Sequence, residues 1–157
     1  MIKAAVFGLA IAALGVSSAQ AAPFATVVFR KGDSALVYDA GSVTGDAARV
    51  NAWVYQILHR PIDGATLIAT YRQFDCIFGR TRDVARRFAT PQGETLRAVE
   101  APDDWQEVET GSDRAELLRQ VCTGKPGRIV GDGLSVFAFQ DVVLAALKAG
   151  NGKSGAK

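Results

Sequence analysis

The sequence contains few of the side chains that usually bind metal ions or cofactors. It has one histidine, His59, and two cysteines, Cys76 and Cys122, which do not have the C-x-x-C spacing of a zinc site. A structural zinc site takes about four nitrogen or sulfur ligands. These residues make a poor ligand set, and we expect neither a metal nor a cofactor.

The sequence also lacks a pattern typical of an enzyme. No Ser-His-Asp arrangement is apparent, and a Cys-His pair would have to use His59, which lies beside Arg60-Pro61 at a predicted surface turn over residues 60–64. Asp103 and Asp104 follow Pro102 in what is expected to be an open turn, whereas acid/base groups work as pairs in a pocket. We therefore expect no catalytic activity.

A strong excess of charge of either sign is absent. Eighteen Lys and Arg residues stand against sixteen Asp and Glu residues, which gives a formal net charge of +2. Nucleic-acid-binding domains usually show a marked basic excess on one face. Nucleic acid is therefore not an expected partner.

No apolar run is long enough to cross a membrane. The apolar run near the N-terminus, Ala4 to Val16, has roughly 13 residues, whereas a spanning helix needs roughly 20. Lys3 precedes this run and Ala19-Gln20-Ala21 follows it as a small-x-small cleavage site, which predicts a secretory signal peptide over residues 1–21. No cysteine near the cleavage site could carry a lipid, so the mature protein is expected to be exported, periplasmic or secreted.

Six segments have the composition or alternation of β-strands. They cover residues 26–30, 35–39, 49–58, 67–78, 79–89 and 94–99. The segment 79–89 also suits a helix, and residues 40–48 are expected to form a loop. In the fourth segment, alternation places Phe74, Cys76 and Phe78 on one face. Because this face is largely aromatic, we expect another element to pack on it.

A short helix is predicted to begin near Ser112 and to end at Cys122. Ser112 can cap the free backbone N–H groups, and Asp113 lies favourably at the positive end of the helix dipole. The apolar stripe of this predicted helix points Cys122 towards the face of the fourth strand that contains Cys76. Because disulfides persist in oxidising compartments, we predict a structural Cys76–Cys122 disulfide; the alternative is a redox-active pair, which usually has closer spacing.

The C-terminal part is very apolar from Leu134 to Ala149. We predict mostly helix here, with a strand over 135–139 as the alternative beginning. The predicted organisation is a β domain over residues 22–122, a helical extension over 123–150 and a disordered tail over 151–157. The fold class is α+β and mainly β: about six antiparallel strands, a disulfide-tethered helix and a C-terminal helix.

Several short motifs occur in a recognisable order around the two cysteines. They are Leu36-Val37-Tyr38-Asp39 with Ser42-Val43, Arg49-Val50-Asn51-Ala52-Trp53, Phe74-Asp75-Cys76 with Arg80 and Arg82, Trp105 with Val108, Gly111-Ser112, Glu116-Leu117 and Val121-Cys122. Over residues 25–122, this order resembles the surface-adhesin protein E family of exported proteobacterial domains. The resemblance implies a sheet of about six antiparallel strands with a helix tethered to one face, adhesion to other proteins, and dimerisation through the sheet.

An arginine-rich stretch is the candidate binding patch. Its members are Arg72, Arg80, Arg82, Arg86 and Arg87. Arginines bind carboxylates through charge-assisted hydrogen bonds, so the expected partner is a protein or an anionic polymer of the envelope or of a host surface. The alternative for the patch is a solvated face neutralised by Asp75 and Asp83. The alternative for the whole chain is a periplasmic inhibitor or assembly factor that presents the loop 40–48.

Overall fold

The structure is a computed structural model. It describes residues 23–30, 33–100, 102–131 and 133–149. The predicted signal peptide over 1–21 and the predicted tail over 151–157 lie outside the described residues.

The described chain forms nine strands, two α-helices and one turn of 3-10 helix. The strands are β1 (Phe24–Arg30), β2 (Ser34–Asp39), β3 (Thr44–Gly45), β4 (Arg49–Ile62), β5 (Ala65–Asp75), β6 (Arg80–Ala89), β7 (Thr95–Val99), β8 (Gln106–Glu107) and β9 (Ile129–Val130). The helices are α1 (Asp113–Thr123) and α2 (Val136–Ala149), and the 3-10 turn is Ala40–Ser42.

All nine strands belong to one antiparallel sheet. Its order is β7-β6-β5-β4-β2-β1-β9, with β3 beside β4 and β8 beside β6. The predicted fold class is confirmed. The six longer strands correspond to the six predicted ones, and segment 79–89 is a strand. The three additional strands have two residues each, too few for a periodic pattern to reveal.

The third predicted strand is longer than expected. It continues past residue 58 to Ile62, through the first three residues of the predicted turn 60–64, and the chain reverses at the last two, Asp63 and Gly64. Both residues have positive φ, 50° and 82°, which is typical of a two-residue type I′ hairpin.

The fourth predicted strand is shorter than expected, because it ends at Asp75 rather than at residue 78. Cys76 therefore lies in a turn and not in a strand. The Asp75 carboxylate accepts a hydrogen bond from the Phe78 N–H at 3.1 Å, and the Gly79 N–H bonds to the Asp75 carbonyl at 2.9 Å. These local hydrogen bonds stabilise a turn after Asp75, although the alternation of side chains predicted that the strand continues.

Helix α1 covers one face of the sheet, the α1 face. Ser112 caps it by accepting from the Ala115 N–H, and it ends at Gly124 with φ 62°. Leu117 and Val121 are buried against sheet residues, among them Phe74. The predicted Cys76–Cys122 disulfide is confirmed, with Cα atoms 5.7 Å apart.

Helix α2 covers part of the opposite face, the α2 face. Its buried residues include Phe139, Val143 and Leu147, which pack with sheet residues such as Ile57 and Leu67. The predicted C-terminal helix is confirmed, and it begins at Val136 instead of as a strand. Strand β9 pairs with β1, so the segment after Cys122 contributes to the same sheet and core.

Candidate functional site

The five arginines of the predicted patch lie on both faces of the sheet. In an antiparallel ladder, directly paired residues share a face. Arg72 pairs with Asp83 on the α1 face, whereas Gln73 pairs with Arg82 on the α2 face. A register shift beside Tyr71 adds Val84 as an extra residue, and a bulge of this kind reverses the alternation. Arg80, Arg82 and Arg87 therefore share the α2 face, while Arg72 and Arg86 lie on the α1 face.

The two arginines on the α1 face are neutralised. Arg72 Nε donates to Asp83 Oδ1 at 2.5 Å, and Arg86 Nε donates to Asp83 Oδ2 at 2.9 Å. Arg86 also forms an ion pair with Asp103. Burial raises the pKa of Asp83, but the hydrogen bonds and charge of Arg72 and then Arg86 outweigh this effect and hold the pKa below its usual value. These groups hold strands together and leave little charge for a partner.

The α2 face has an open half that α2 does not cover. Strands β4, β5 and β6 place side chains there in four rows. In order, the rows are Arg49-Asp75-Arg80, Asn51-Gln73-Arg82, Trp53-Tyr71-Ala85 and Tyr55-Ala69-Arg87. We call this surface the open face. Four arginines and three aromatic residues are among its twelve positions, and arginine and aromatic residues are enriched at binding surfaces.

One end of the open face is centred on Trp105, which precedes β8. The guanidinium carbons of Arg49, Arg80 and Arg82 lie 5.9, 5.3 and 4.8 Å from the centroid of the Trp105 ring. We call these four residues the Trp105 cluster. Three cations around one ring are within the distance of a cation–π attraction.

The members of the Trp105 cluster differ in how they are paired. Arg80 binds the Asp75 carboxylate at 3.1 Å. Burial alone raises the pKa of Asp75, but the Phe78 N–H and the Arg80 hydrogen bond lower it below its usual value. Arg82 donates to the neutral Gln73 Oε1 at 2.7 Å. Within the described residues, neither Arg82 nor Arg49 forms an ion pair.

The other end of the open face contains a small cavity of about 270 Å³ beside the first turn of α2. We call it the Arg87 pocket. Arg87 lies over the Trp53 ring at 5.9 Å, and Tyr55 forms part of the wall. Burial, followed by the charge of Asp39, raises the pKa of Tyr55 to about 12, so its hydroxyl is neutral at physiological pH.

The loop 40–48 is held closely to the sheet. Asp39 accepts from the N–H groups of Gly41 and Ser42, and the Ser42 hydroxyl accepts from the Trp53 N–H at 2.9 Å. Thr44 and Gly45 pair with β4. Residues 44–47 are exposed and form the tip of this loop.

The described residues offer no clear site for a metal ion. Among them, no group of three or more His, Cys, Asp or Glu side chains is arranged to hold one. No described helix has the length and apolar character required to cross a bilayer.

The comparisons with known proteins found no match among protein-family models, curated proteins or solved structures. The resemblance to the surface-adhesin protein E family therefore stays a prediction.

The open face was not predicted from the sequence. Its residues come from separate segments, and only the strand register brings Arg49, Trp53 and Trp105 beside Arg82 and Arg87.

Proposed function

We propose that this chain is an exported binding domain of the cell envelope, without catalytic activity, and that its open face contacts an anionic polymer or an acidic protein surface. The observation that carries the proposal is the Trp105 cluster. It presents two guanidinium groups, those of Arg49 and Arg82, that form no ion pair within the described residues and lie over one aromatic ring.

The chemistry of this cluster fits a carboxylated ligand. A guanidinium binds a carboxylate with two parallel hydrogen bonds. The Trp105 ring supplies an apolar surface and orients the arginines, so that less side-chain entropy is lost on binding. The neighbouring Trp53 and Tyr71 rings, with centroids 5.2 Å apart, extend this surface across β4 and β5.

Export is supported by the predicted signal peptide and by the disulfide. A structural disulfide is rare in a reducing cytosol, and this chain forms one between Cys76 and Cys122. Cell fractionation tests this part of the proposal. We expect oxidised protein in the periplasm, in the medium or on the cell surface; reduced protein in the cytoplasm would contradict it. Retention in the periplasm would favour the alternative function, an inhibitor or assembly factor for an envelope protein.

A binding assay tests the role of the Trp105 cluster. We would immobilise the full chain and measure binding of polygalacturonate, a carboxylated polysaccharide, and of dextran, which is neutral. The wild type should bind polygalacturonate but not dextran, and more weakly as salt increases. The double variant Arg49→Gln/Arg82→Gln should bind at least about tenfold more weakly, since each charge-assisted hydrogen bond contributes roughly 1.5–3 kcal/mol.

The matched control removes the same charge elsewhere. Arg119 lies exposed on α1, on the other side of the sheet, and Arg128 lies exposed before β9. The double variant Arg119→Gln/Arg128→Gln should bind within about twofold of the wild type, because neither residue belongs to the open face and the long-range effect of exposed charges is screened by salt. If both double variants lose affinity equally, the binding depends only on net charge and the proposed site is wrong.

A further inference from the structure

The Arg87 pocket has the size and lining of a site for one apolar group. Its volume is about 270 Å³, and a cavity of ~150 Å³ already accepts benzene. Its walls are mostly apolar or aromatic: Trp53, Tyr55, Leu67, Ala69, Ala89 and Phe137. Ligand pockets typically combine such walls with a few polar groups that set the orientation.

The rim of the pocket is formed by Phe137 at the start of α2. Phe137 is 42% exposed, and apart from Phe137 and its neighbour Val136 the residues that line the pocket belong to the sheet. Its ring packs closely on Gly93: a Cβ atom added to Gly93 would lie 2.9 Å from the Phe137 Cε1 atom. Gly93 also has φ 85°, which favours glycine. This contact fixes the ring beside the opening.

Among the described residues that line the pocket, Arg87 has the only charged side chain. Its nearest carboxylate among the described residues is Glu100, 3.9 Å away and 71% exposed, which is beyond hydrogen-bond distance. Within the described residues, the guanidinium donates no hydrogen bond. It is held over the Trp53 ring instead, with its donors available at the mouth of the pocket.

We propose that the Arg87 pocket binds an aromatic or branched apolar group that carries a carboxylate, with the apolar group between Trp53 and Phe137 and the carboxylate on Arg87. Two sources have this chemistry: a free aromatic acid, and the C-terminal residue of a polypeptide. The edge strand β7 adjoins the pocket through Thr95, so a polypeptide could add backbone hydrogen bonds that a free acid lacks.

The test uses the full chain and a matched pair of probes, 3-phenylpropionate and its uncharged amide. The chain has two tryptophans, so the indole N–H signal of Trp53 reports on the pocket and that of Trp105 serves as an internal reference. We expect saturable shifts at Trp53 and not at Trp105. The acid should bind about tenfold more tightly than the amide, a difference of about 1.4 kcal/mol.

Three variants separate the two parts of the site. Arg87→Gln should abolish the preference for the acid and leave the amide unaffected, whereas Arg87→Lys should keep part of the preference. Ala69→Leu should fill the pocket and weaken both probes. If Ala69→Leu does not fold, the exposed Phe137→Ala replaces it, and it should also weaken both probes.

Equal affinity for acid and amide, an unchanged preference in Arg87→Gln, or shifts confined to Trp105 would each overturn the proposal.

The peptide Gly-Gly-Phe distinguishes the two sources of the ligand, a polypeptide C-terminus and a free acid. Tighter binding than the free acid, lost on C-terminal amidation, supports a polypeptide terminus; equal or weaker binding supports a small acid. The proposal depends neither on export nor on the Trp105 cluster, so Arg49→Gln/Arg82→Gln should leave this binding unchanged.

Discussion

Reducing the Cys76–Cys122 disulfide should lower the free energy of unfolding by about 4 kcal/mol. The two cysteines are 46 positions apart, and the loop-closure entropy of a link of that length gives ~4 kcal/mol. For a domain of this size, such a loss lowers the Tm by on the order of 10 °C. It is a large share of a total stability of roughly 5–15 kcal/mol.

The reduced protein should nevertheless keep α1 on the sheet at room temperature. Leu117 and Val121 are 0% and 3% exposed, and burial of each such side chain contributes roughly 1.5–3 kcal/mol. The remaining effect should be local, because α1 is joined to the sheet mainly through these contacts and the disulfide. Its amides should exchange hydrogen faster on reduction than the amides of β4 and β5.

The assay is urea denaturation with and without reductant, combined with hydrogen exchange. Because reduction only converts the Cys76–Cys122 disulfide to two thiols and replaces no residue, it isolates the effect of the covalent link. A Cys76→Ala/Cys122→Ala variant, which should match the reduced wild type within about 1 kcal/mol, controls for residual oxidation. A free energy of unfolding that changes by less than about 1 kcal/mol on complete reduction would refute the reasoning, as would slower exchange in α1 than in β4.

Three further perturbations test the fold. Leu147→Ala should lower the free energy of unfolding in urea by about 2–5 kcal/mol, because Leu147 is fully buried on the side of α2 that packs on the sheet. Val142 lies on the exposed side of the same helix and is 58% exposed, so Val142→Ala should lower the free energy of unfolding far less. Equal losses would argue against the packing of α2. Asp83→Asn should cost roughly 3–5 kcal/mol at pH 7, because it leaves Arg72 without its buried partner. Because the pKa of Asp83 is lower in the folded than in the unfolded protein, Asp83 stabilises the fold above the unfolded pKa of about 3.9. This stabilisation is lost as the pH falls towards the folded pKa. The free energy of unfolding measured from pH 7 to 2 should therefore fall less steeply in Asp83→Asn than in the wild type. Ser112→Ala should cost about 1 kcal/mol by removing the cap of α1, and Ser112→Asp should restore most of it; an equal loss in both would show that the cap is unimportant.

The main architecture could be predicted because it depends on local patterns. Alternation identified the six longer strands, and the capping residue and apolar stripe identified α1 and the partner of Cys122. The errors occurred where a local contact interrupts a pattern. The Asp75 carboxylate caps a turn that ends β5 early, and β4 continues through the first three residues of the predicted turn 60–64 before the chain reverses at Asp63-Gly64.

The candidate site could be predicted only in part. Strict alternation along β6 places Arg80, Arg82 and Arg86 on one face and Arg87 on the other. The bulge at Val84 moves Arg86 to the α1 face and leaves Arg87 with Arg82. A single extra residue in a strand leaves no clear mark in composition, and the contribution of Trp105 depends on the pairing of β8 with β6. Dimerisation through the sheet stays a prediction that size-exclusion chromatography can test.

The most direct test of the central claim is a map of where an anionic polymer contacts the protein. In a titration of the isotope-labelled full chain with polygalacturonate, followed by NMR, we expect the largest shifts at the Trp105 indole N–H and at the side-chain Nε–H groups of Arg49 and Arg82. Amides of α1 should shift little, because that helix lies on the opposite side of the sheet. Shifts centred on Arg72 and Arg86, or no saturable shift at all, would contradict the claim that the open face is the binding surface.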